Sequence, residues 1–383
     1  MLKNFRDEKK RALLIQVLGL FSVFAFIGYL FHNTQMNLAK LNIATGFGFF
    51  ELEAGFDIGE SLIEYWSDDT YLKALGVGIL NTLKVAIIGN ILAVVLGVLI
   101  GLGHLSDNWM LKKICRVYIE TVRNIPLLLQ LFLWYALLTE GLPAVKEAIE
   151  ILPSVFLSNR GLNIPSPVDI TSFSVSLIVL IFSVIGYFLL DSKRDQLVNE
   201  TGVESPLWEK LNFLVFLLPI ITWALMGAST EFSVPKLQGF NFTGGYNLTP
   251  EFAALLFGLV IYTAAFNAEI TRAGIQSIPK GQWEASHSLG LSKVDTIKRI
   301  ILPQSLRVIV PPLTSQVLNL TKNSSLAVAI GFPDFVAITN TTMNQTGQAV
   351  ECVFLIMIVY LTFSLLTSLF MNWFNKRFAI VER

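Results

Sequence analysis

The sequence predicts an all-α integral membrane protein with about eight transmembrane helices. Hydrophobic residues make up 53% of the 383 residues and charged residues only 15%, and the mean hydropathy is +0.61. A soluble chain of this length needs more charge on its surface. Apolar runs long enough to cross a bilayer also recur along the chain. The bilayer is therefore the solvent in which these helices must be stable.

The balance of charge and the reactive residue types exclude several classes of function. The 28 basic and 28 acidic residues give a net charge of zero, which argues against nucleic acid as a partner because no basic surplus neutralises phosphates. Cys115 and Cys352 are too far apart in sequence to form a CxxC pair, and they do not suggest a disulfide framework. His32, His104 and His287 are scattered, and no H-E-x-x-H or G-x-S-x-G motif occurs. We therefore expect no metal site and no catalytic residue.

The apolar runs place eight predicted spans along the chain. A basic segment over residues 1–11 precedes a first run that is too long for the core of a signal peptide, so we expect an uncleaved first span with a cytoplasmic amino end. The spans cover about residues 12–30, 76–103, 125–138, 173–190, 211–227, 251–266, 308–331 and 350–373.

The distribution of Lys and Arg supports this topology independently of hydropathy. Loops assigned to the cytoplasm hold twenty-one of these residues, whereas loops assigned to the outside hold five. This is the positive-inside bias, and it places both termini in the cytoplasm. The outer segment at residues 32–69 is long enough for a cap or a docking lip.

Small residues recur every four positions in the second span, at Gly89, Ala93, Gly97 and Gly101. This spacing forms one helix face on which a neighbouring backbone packs closely. The alternative is that glycine is simply frequent in membrane helices.

The third span opens with a charged and Pro-containing sequence. Pro126 suits a helix start, because the first turn cannot use its missing N–H. Arg123 either anchors at the membrane interface or pairs with Glu120 or another acidic residue. We assign Arg123 and Pro126 structural roles.

A charged, amphipathic segment follows the sixth span and organises the second half of the chain. It opens with Glu269 and Arg272, to which we also assign structural roles, and it alternates apolar with charged side chains around residues 283–295. Gly290 ends the short predicted helix by adopting a conformation that other residues resist. Pro303 then starts or kinks the next segment. The segment is either a rigid projection gripped by another protein or an ordinary surface helix.

The seventh span carries polar side chains that hydrocarbon does not tolerate without partners. At helical spacing they predict a water-lined substrate path, in which Lys322 meets a substrate carboxylate. The alternative is that Lys322 reaches the outer surface while the amides hold helix contacts, and Lys84 in the second span has the same two interpretations. The path residues are Gln316, Asn319, Lys322, Asn323, Ser324 and Ser325.

The charged segment resembles the EAA loop of bacterial ABC-importer permeases. The pattern E-A-A-x3-G-x9-I-x-L-P is matched except that Ser286 replaces the second Ala, and residues 120–130 are similar to the amino-acid branch of that family. The resemblance covers about residues 81–130 and 262–373 and looks closest to permeases for general or polar L-amino acids. It implies ATPase coupling by Glu284, Ala285, Ser286, Leu289, Gly290, Leu291 and Pro303.

The resemblance further implies a type I permease core of five spans, with an N-terminal span and an inserted pair added. The implied partners are a dimer of ATP-binding subunits, a second permease subunit that is a different homologous chain, a periplasmic amino-acid-binding protein and membrane lipid, all at the bacterial inner membrane. No G-x-x-x-x-G-K-[ST] occurs in the chain, so ATP and Mg²⁺ are expected on the partner and no cofactor on this chain.

These observations divide the chain into four predicted parts. Residues 1–75 form the N-terminal span with its outer segment, 76–140 the first part of the core, 141–250 the outer loops with the inserted spans, and 251–383 the second part of the core with a coupling loop at 269–307. An ion-coupled secondary transporter of small polar solutes is the alternative function, although its acidic candidates, Glu269 and Glu351, lie at span ends. A membrane scaffold is a third possibility, but it needs no polar stripe in the seventh span.

Overall fold

The computed structural model describes residues 8–40, 45–201, 217–227 and 230–378. Helices dominate these residues, as predicted. They are α1 (Glu8–Lys40), α2 (Tyr71–His104), α3 (Trp109–Asn124), α4 (Leu127–Thr139), α5 (Ile170–Thr201), α6 (217–225), α7 (Pro250–Gln276), α8 (Lys280–Ser288), α9 (Lys293–Thr296), α10 (Leu302–Asn323), α11 (Phe335–Thr346) and α12 (Ala349–Phe378).

Four of these helices are long and apolar enough to cross a bilayer without a break. They cover Arg11–Asn37, Tyr71–His104, Pro250–Gln276 and Ala349–Asn375, and they match the first, second, sixth and eighth predicted spans. Two bent pairs raise the number to as many as six in the described ranges. Part of the fifth predicted span, residues 211–216, lies outside the described residues.

Both bent pairs depart from the simple predicted spans. Residues 109–124, expected as a cytoplasmic loop before the third span, form α3, which meets α4 at 107°. The charged residues of α3 lower its mean hydropathy, so hydropathy alone did not identify the helix. The apolar residues of α3 nevertheless recur at helical spacing. The seventh predicted span continues from α10 into a 3₁₀ helix, Ser324–Ile330, and turns by 51° into α11, which was not predicted.

Short strands interrupt the segment at residues 141–250, where the sequence predicted only loops around two spans. They are β1 (Ile149–Leu152), β2 (Val155–Ser158), β3 (Gly161–Ile164), β4 (Ser166–Pro167), β5 (Phe232–Ser233), β6 (Lys236–Gln238), β7 (Asn241–Thr243) and β8 (Tyr246–Leu248). The order β1-β2-β3-β8 forms an antiparallel sheet, and β4-β5 and β6-β7 form two-stranded ones. These short strands were not predicted, because pairings such as Leu162 with Leu248 are remote in sequence and leave no local signal.

The chain forms two compact units, residues 129–258 and residues 1–128 together with 259–383. In the first unit, the Leu131 side chain packs against Gly258, and Trp134 lies 5.9 Å from Phe257 between ring centroids. In the second unit, α2 packs against α3, α10 and α11, and α12 packs against α10 and α11. The second unit holds every residue of the site described below.

The small-residue face of α2 packs as predicted. Gly89, Ala93, Gly97 and Gly101 are all buried. A Cβ on Gly101 would lie 2.7 Å from the carbonyl oxygen of Ala268 in α7, so only glycine allows this approach.

Residues 48–70, here called the strap, return along the outer surface of α2. They begin with a 3₁₀ helix at Gly48–Glu51, and the backbone N–H of Ala54 bonds to the carbonyl of Asp69. Phe49 and Ala54 are buried in one hydrophobic cluster with Tyr71 of α2. The strap is thus part of the helical unit and carries polar residues into it.

Candidate coupling and translocation site

Helix α8 carries the predicted coupling residues Glu284, Ala285 and Ser286 and ends in a Schellman motif at Leu289 to Leu291. Gly290 has φ = +74°, its N–H bonds to the carbonyl of His287, and the N–H of Leu291 bonds to the carbonyl of Ser286. This six-to-one bond with a left-handed glycine is the geometry that stops a helix sharply. The role predicted for Gly290 as helix terminator is confirmed.

The exposed side of α8 presents an apolar tip with a polar flank. Glu284 and Ala285 are exposed, and Leu289 and Val294 keep 78% and 73% of their surface in contact with solvent. Leu291 is half-buried. Such exposed aliphatic side chains on a charged loop favour contact with another protein.

Ser286 is the position at which the sequence departs from the EAA pattern. Its side chain is buried, and its Oγ donates a 2.8 Å hydrogen bond to the carbonyl of Trp283 within the same helix. The hydroxyl is therefore satisfied without a partner outside α8, so serine fits a buried position that also suits alanine.

The base of this projection is packed in a buried cluster. Ile275 at the end of α7 and Ile278 just after it pack against Ile301, Ile309 and Leu313. A π-helical turn, Ile297–Ile301, leads directly into α10. Pro303 then lies exposed in the first turn of α10, where its missing N–H is tolerated. Trp283 of α8 packs against the same cluster, which joins α8 to α7 and α10.

The predicted path residues lie at the end of α10 with different exposures. Asn319 and Lys322 are exposed, Gln316, Asn323 and Ser325 are half-buried, and Ser324 is fully buried. Ser324 donates to the carbonyl of Thr321 and Ser325 to that of Lys322. The structure therefore exposes two of the six residues, half-buries three and holds Ser324 inside.

A buried polar junction behind this stripe was missed by the sequence analysis. Asp334 caps α11 by accepting a 2.8 Å bond from the N–H of Ala337, and Tyr360 of α12 donates to it at 3.1 Å. Asn81 Nδ2 donates to the carbonyls of Glu60 and Pro333. The sequence Gly331-Phe332-Pro333-Asp334 signals a helix stop followed by an N-cap, and it could have located this break.

The ambiguity of Lys84 is resolved by the strap. Its ammonium pairs with the carboxylate of Glu60, and the two side chains are only 10% and 6% exposed. The strap therefore encloses the Lys84 side chain within the helical unit. Glu60 had no role in the sequence analysis, because nothing local connects residue 60 with α2.

Three of the four residues predicted to be structural, Arg123, Glu269 and Arg272, lie around one cavity with His104, the last residue of α2. Arg272 Nε bonds to Glu269 at 2.9 Å, and the Arg123 guanidinium lies 5.0 Å from the centre of the Phe266 ring. Glu120 pairs instead with Arg116, so the predicted alternative of an Arg123–Glu120 pair is wrong. Pro126 stands between α3 and α4 and immediately precedes Leu127.

The carboxylates considered for ion coupling are both engaged. Glu269 pairs with Arg272, and Glu351 accepts a 2.7 Å bond from the backbone N–H of Gly46. Within the described ranges, no group of three or more His, Cys, Asp or Glu side chains is placed to hold a metal ion.

Comparison with known proteins agrees with this arrangement. Residues 207–380 match the family described as "Binding-protein-dependent transport system inner membrane component". The chain is 46% identical to the general L-amino acid transport system permease protein AapQ of Rhizobium johnstonii, over 98% of this chain and 94% of that protein.

Two further relatives are similar over nearly the whole length. The putative amino-acid ABC transporter permease protein YhdX of Escherichia coli is 47% identical, over 99% of this chain and 97% of its own. The glutamate/glutamine/aspartate/asparagine transport system permease protein BztB of Rhodobacter capsulatus is 39% identical, over 98% and 96%. This multi-pass membrane protein therefore belongs to the family of amino-acid ABC transporter permease proteins.

Proposed function

We propose that this permease subunit carries L-amino acids into the bacterial cell and forms one half of an ATP-driven translocation path with a type I core. The observation that carries the proposal is α8, whose apolar tip at Leu289 is exposed while its base is fixed to α7 and α10. When a partner binds the exposed end of α8 and displaces it, the packed base passes this displacement to the spanning helices α7 and α10.

The proposed function requires partner subunits, because this chain has no motif for binding ATP. Its sequence contains no phosphate-binding loop. ATP and Mg²⁺ therefore bind a dimer of separate subunits, and these subunits bind the coupling residues Glu284 to Leu291. A second, homologous but different permease completes the path, and a periplasmic amino-acid-binding protein delivers the solute. Both termini lie in the cytoplasm, and lipid surrounds the exposed apolar helices.

The stripe at Gln316, Asn319, Lys322 and Asn323 lines the path. Amides donate and accept hydrogen bonds, and the ammonium of Lys322 attracts a carboxylate, which every amino acid carries. Exposure of Asn319 and Lys322 supports this role.

Reconstitution into liposomes tests the proposal. The chain is purified with its ATP-binding subunit, second permease and binding protein, and uptake of an equimolar mixture of the twenty L-amino acids is measured by mass spectrometry. We expect uptake only when ATP reaches the ATP-binding subunits. Uptake by this chain alone under a sodium or proton gradient, with no ATP, would instead establish an ion-coupled transporter.

A further inference from the structure

The Glu60–Lys84 pair places a cation deep in a spanning helix. Lys84 follows Tyr71, the first residue of α2, by about 20 Å at the helical rise of 1.5 Å per residue. Its carboxylate partner does not come from another span but from the strap, which precedes α2 in the chain. The strap, which supplies Glu60, is not part of any spanning helix. Separating Glu60 from Lys84 therefore breaks no spanning helix.

The stability of the folded protein does not require an ion pair at this position. Replacing a buried ion pair by apolar side chains of similar volume is often neutral or stabilising. The neighbouring strap residues Phe49 and Ala54 already attach the strap to α2 by apolar packing. We therefore infer that the charge of Lys84 serves the function of the protein.

A second buried group lies one turn away on the same helix. Asn81 and Lys84 are three residues apart and share a face of α2. Asn81 is fully buried, and although its Nδ2 donates twice, its Oδ1 accepts no hydrogen bond within the described part of the chain. An unsatisfied buried acceptor is uncommon and indicates a missing donor.

This position lies on a helix that the predicted path contacts. Asn90 Nδ2 of α2 lies 3.3 Å from the hydroxyl of Thr321 in α10. The polar stripe on α10 therefore contacts α2 less than two helical turns from Lys84.

We propose that Lys84 binds the carboxylate of the transported amino acid, and Asn81 Oδ1 its ammonium, while Glu60 is the resident carboxylate that the solute displaces. The inference rests on the proposed amino-acid transport. A cation and an acceptor one helical turn apart complement the two charged groups of an amino acid. Glu60 keeps Lys84 neutralised between cycles, while the apolar residues Phe49 and Ala54 keep the strap on α2.

A charge exchange separates this role from a structural one. Glu60→Lys combined with Lys84→Glu restores an ion pair but moves the cation from α2 to the strap. We expect the doubly substituted complex to assemble and to unfold near the wild-type temperature, while amino-acid uptake in the reconstituted system falls about tenfold or more. Uptake within about twofold of wild type would overturn the proposal, because it would show that only the pairing matters.

A single substitution gives an independent test should the exchanged complex fail to assemble. Glu60→Gln removes the competing charge, so the amino-acid concentration at half-maximal uptake should fall severalfold, whereas a purely structural pair leaves it unchanged. An unchanged half-maximal concentration would overturn the proposal. The matched control exchanges the half-buried pair Asp69 and Lys73, which also joins the strap to α2, and should leave uptake intact. If the wild-type complex itself takes up no amino acid, the proposed transport function is wrong. That result differs from the two outcomes above, in which the wild type transports and only the variants fail to differ from it.

Discussion

The hydroxyl oxygen of Thr82 accepts a 3.0 Å hydrogen bond from the backbone N–H of Phe335, the first residue of α11. The first N–H groups of a helix have no partner inside the helix, and this one is buried. Together with Asp334, whose carboxylate accepts from the N–H of Ala337, Thr82 satisfies the start of α11 and fixes it to α2.

Thr82→Val should destabilise the protein by about 1–3 kcal/mol, because it leaves the N–H of Phe335 buried without an acceptor. Thermal unfolding in detergent measures the effect. Thr82→Ser retains the hydroxyl and serves as the control, and equal melting temperatures for the Val and Ser variants would contradict the role of this bond.

Gly101→Val should separate α2 from α7. The added Cβ would lie 2.7 Å from the carbonyl oxygen of Ala268 and 2.8 Å from Thr271 Cβ, and overpacking of this kind destabilises by about 1–3 kcal/mol. Gly76→Val is the matched control, since nothing lies within 4 Å of its Cβ position. The packing interpretation fails if both variants unfold at the same temperature.

Gly290→Arg should leave the protein in the membrane but abolish association with the ATP-binding subunit. A side chain at φ = +74° is strained by about 1–2 kcal/mol, and the new guanidinium projects from the coupling segment. Co-purification measures association. Gly290→Asn tolerates the left-handed conformation and should retain binding, whereas retained binding by the Arg variant would argue against coupling through α8.

Lys322→Met should lower amino-acid uptake about tenfold, the effect of losing one hydrogen bond to a charged group, without changing assembly with the partners. Transport in proteoliposomes and co-purification provide the two readouts. Lys236→Met alters another exposed lysine, in β6, and should transport normally. Unchanged uptake kinetics in the Lys322 variant would remove Lys322 from the path.

Asp69 should contribute a pH-dependent part of the stability of the strap. The hydrogen bond from the Lys73 side chain, at 2.7 Å, and one from the Trp66 N–H hold the pKa of Asp69 below its ordinary value of 3.8. A lowered folded-state pKa means that the contribution is full above 3.8 and disappears as the pH falls through the folded-state value.

The difference in melting temperature between wild type and Asp69→Asn tests this expectation. It should stay constant from about pH 8 to pH 5 and shrink below about pH 4. A difference that grows on acidification would show that the carboxylate is not stabilised in the folded state.

Features that depend on neighbouring residues were predictable from the sequence. Hydropathy locates α1, α2, α7 and α12, because each span must bury its own backbone bonds and face lipid with apolar side chains. The end of α8 at Gly290 was predictable because left-handed backbone geometry favours glycine. The spacing of Gly97 and Gly101 likewise showed which face of α2 packs closely.

Features that join remote parts of the chain were decided only by the tertiary structure. The sequence by itself determined the class of protein, the four unbroken spans of the described residues and the end of α8, since these follow from the solvent and from local backbone preference. The Glu60–Lys84 pair, the bond between Thr82 and Phe335, and the pairing of β3 with β8 required the folded chain. Hydrogen bonds and ion pairs have no fixed sequence spacing, so a polar residue reveals that it needs a partner but not which residue supplies it.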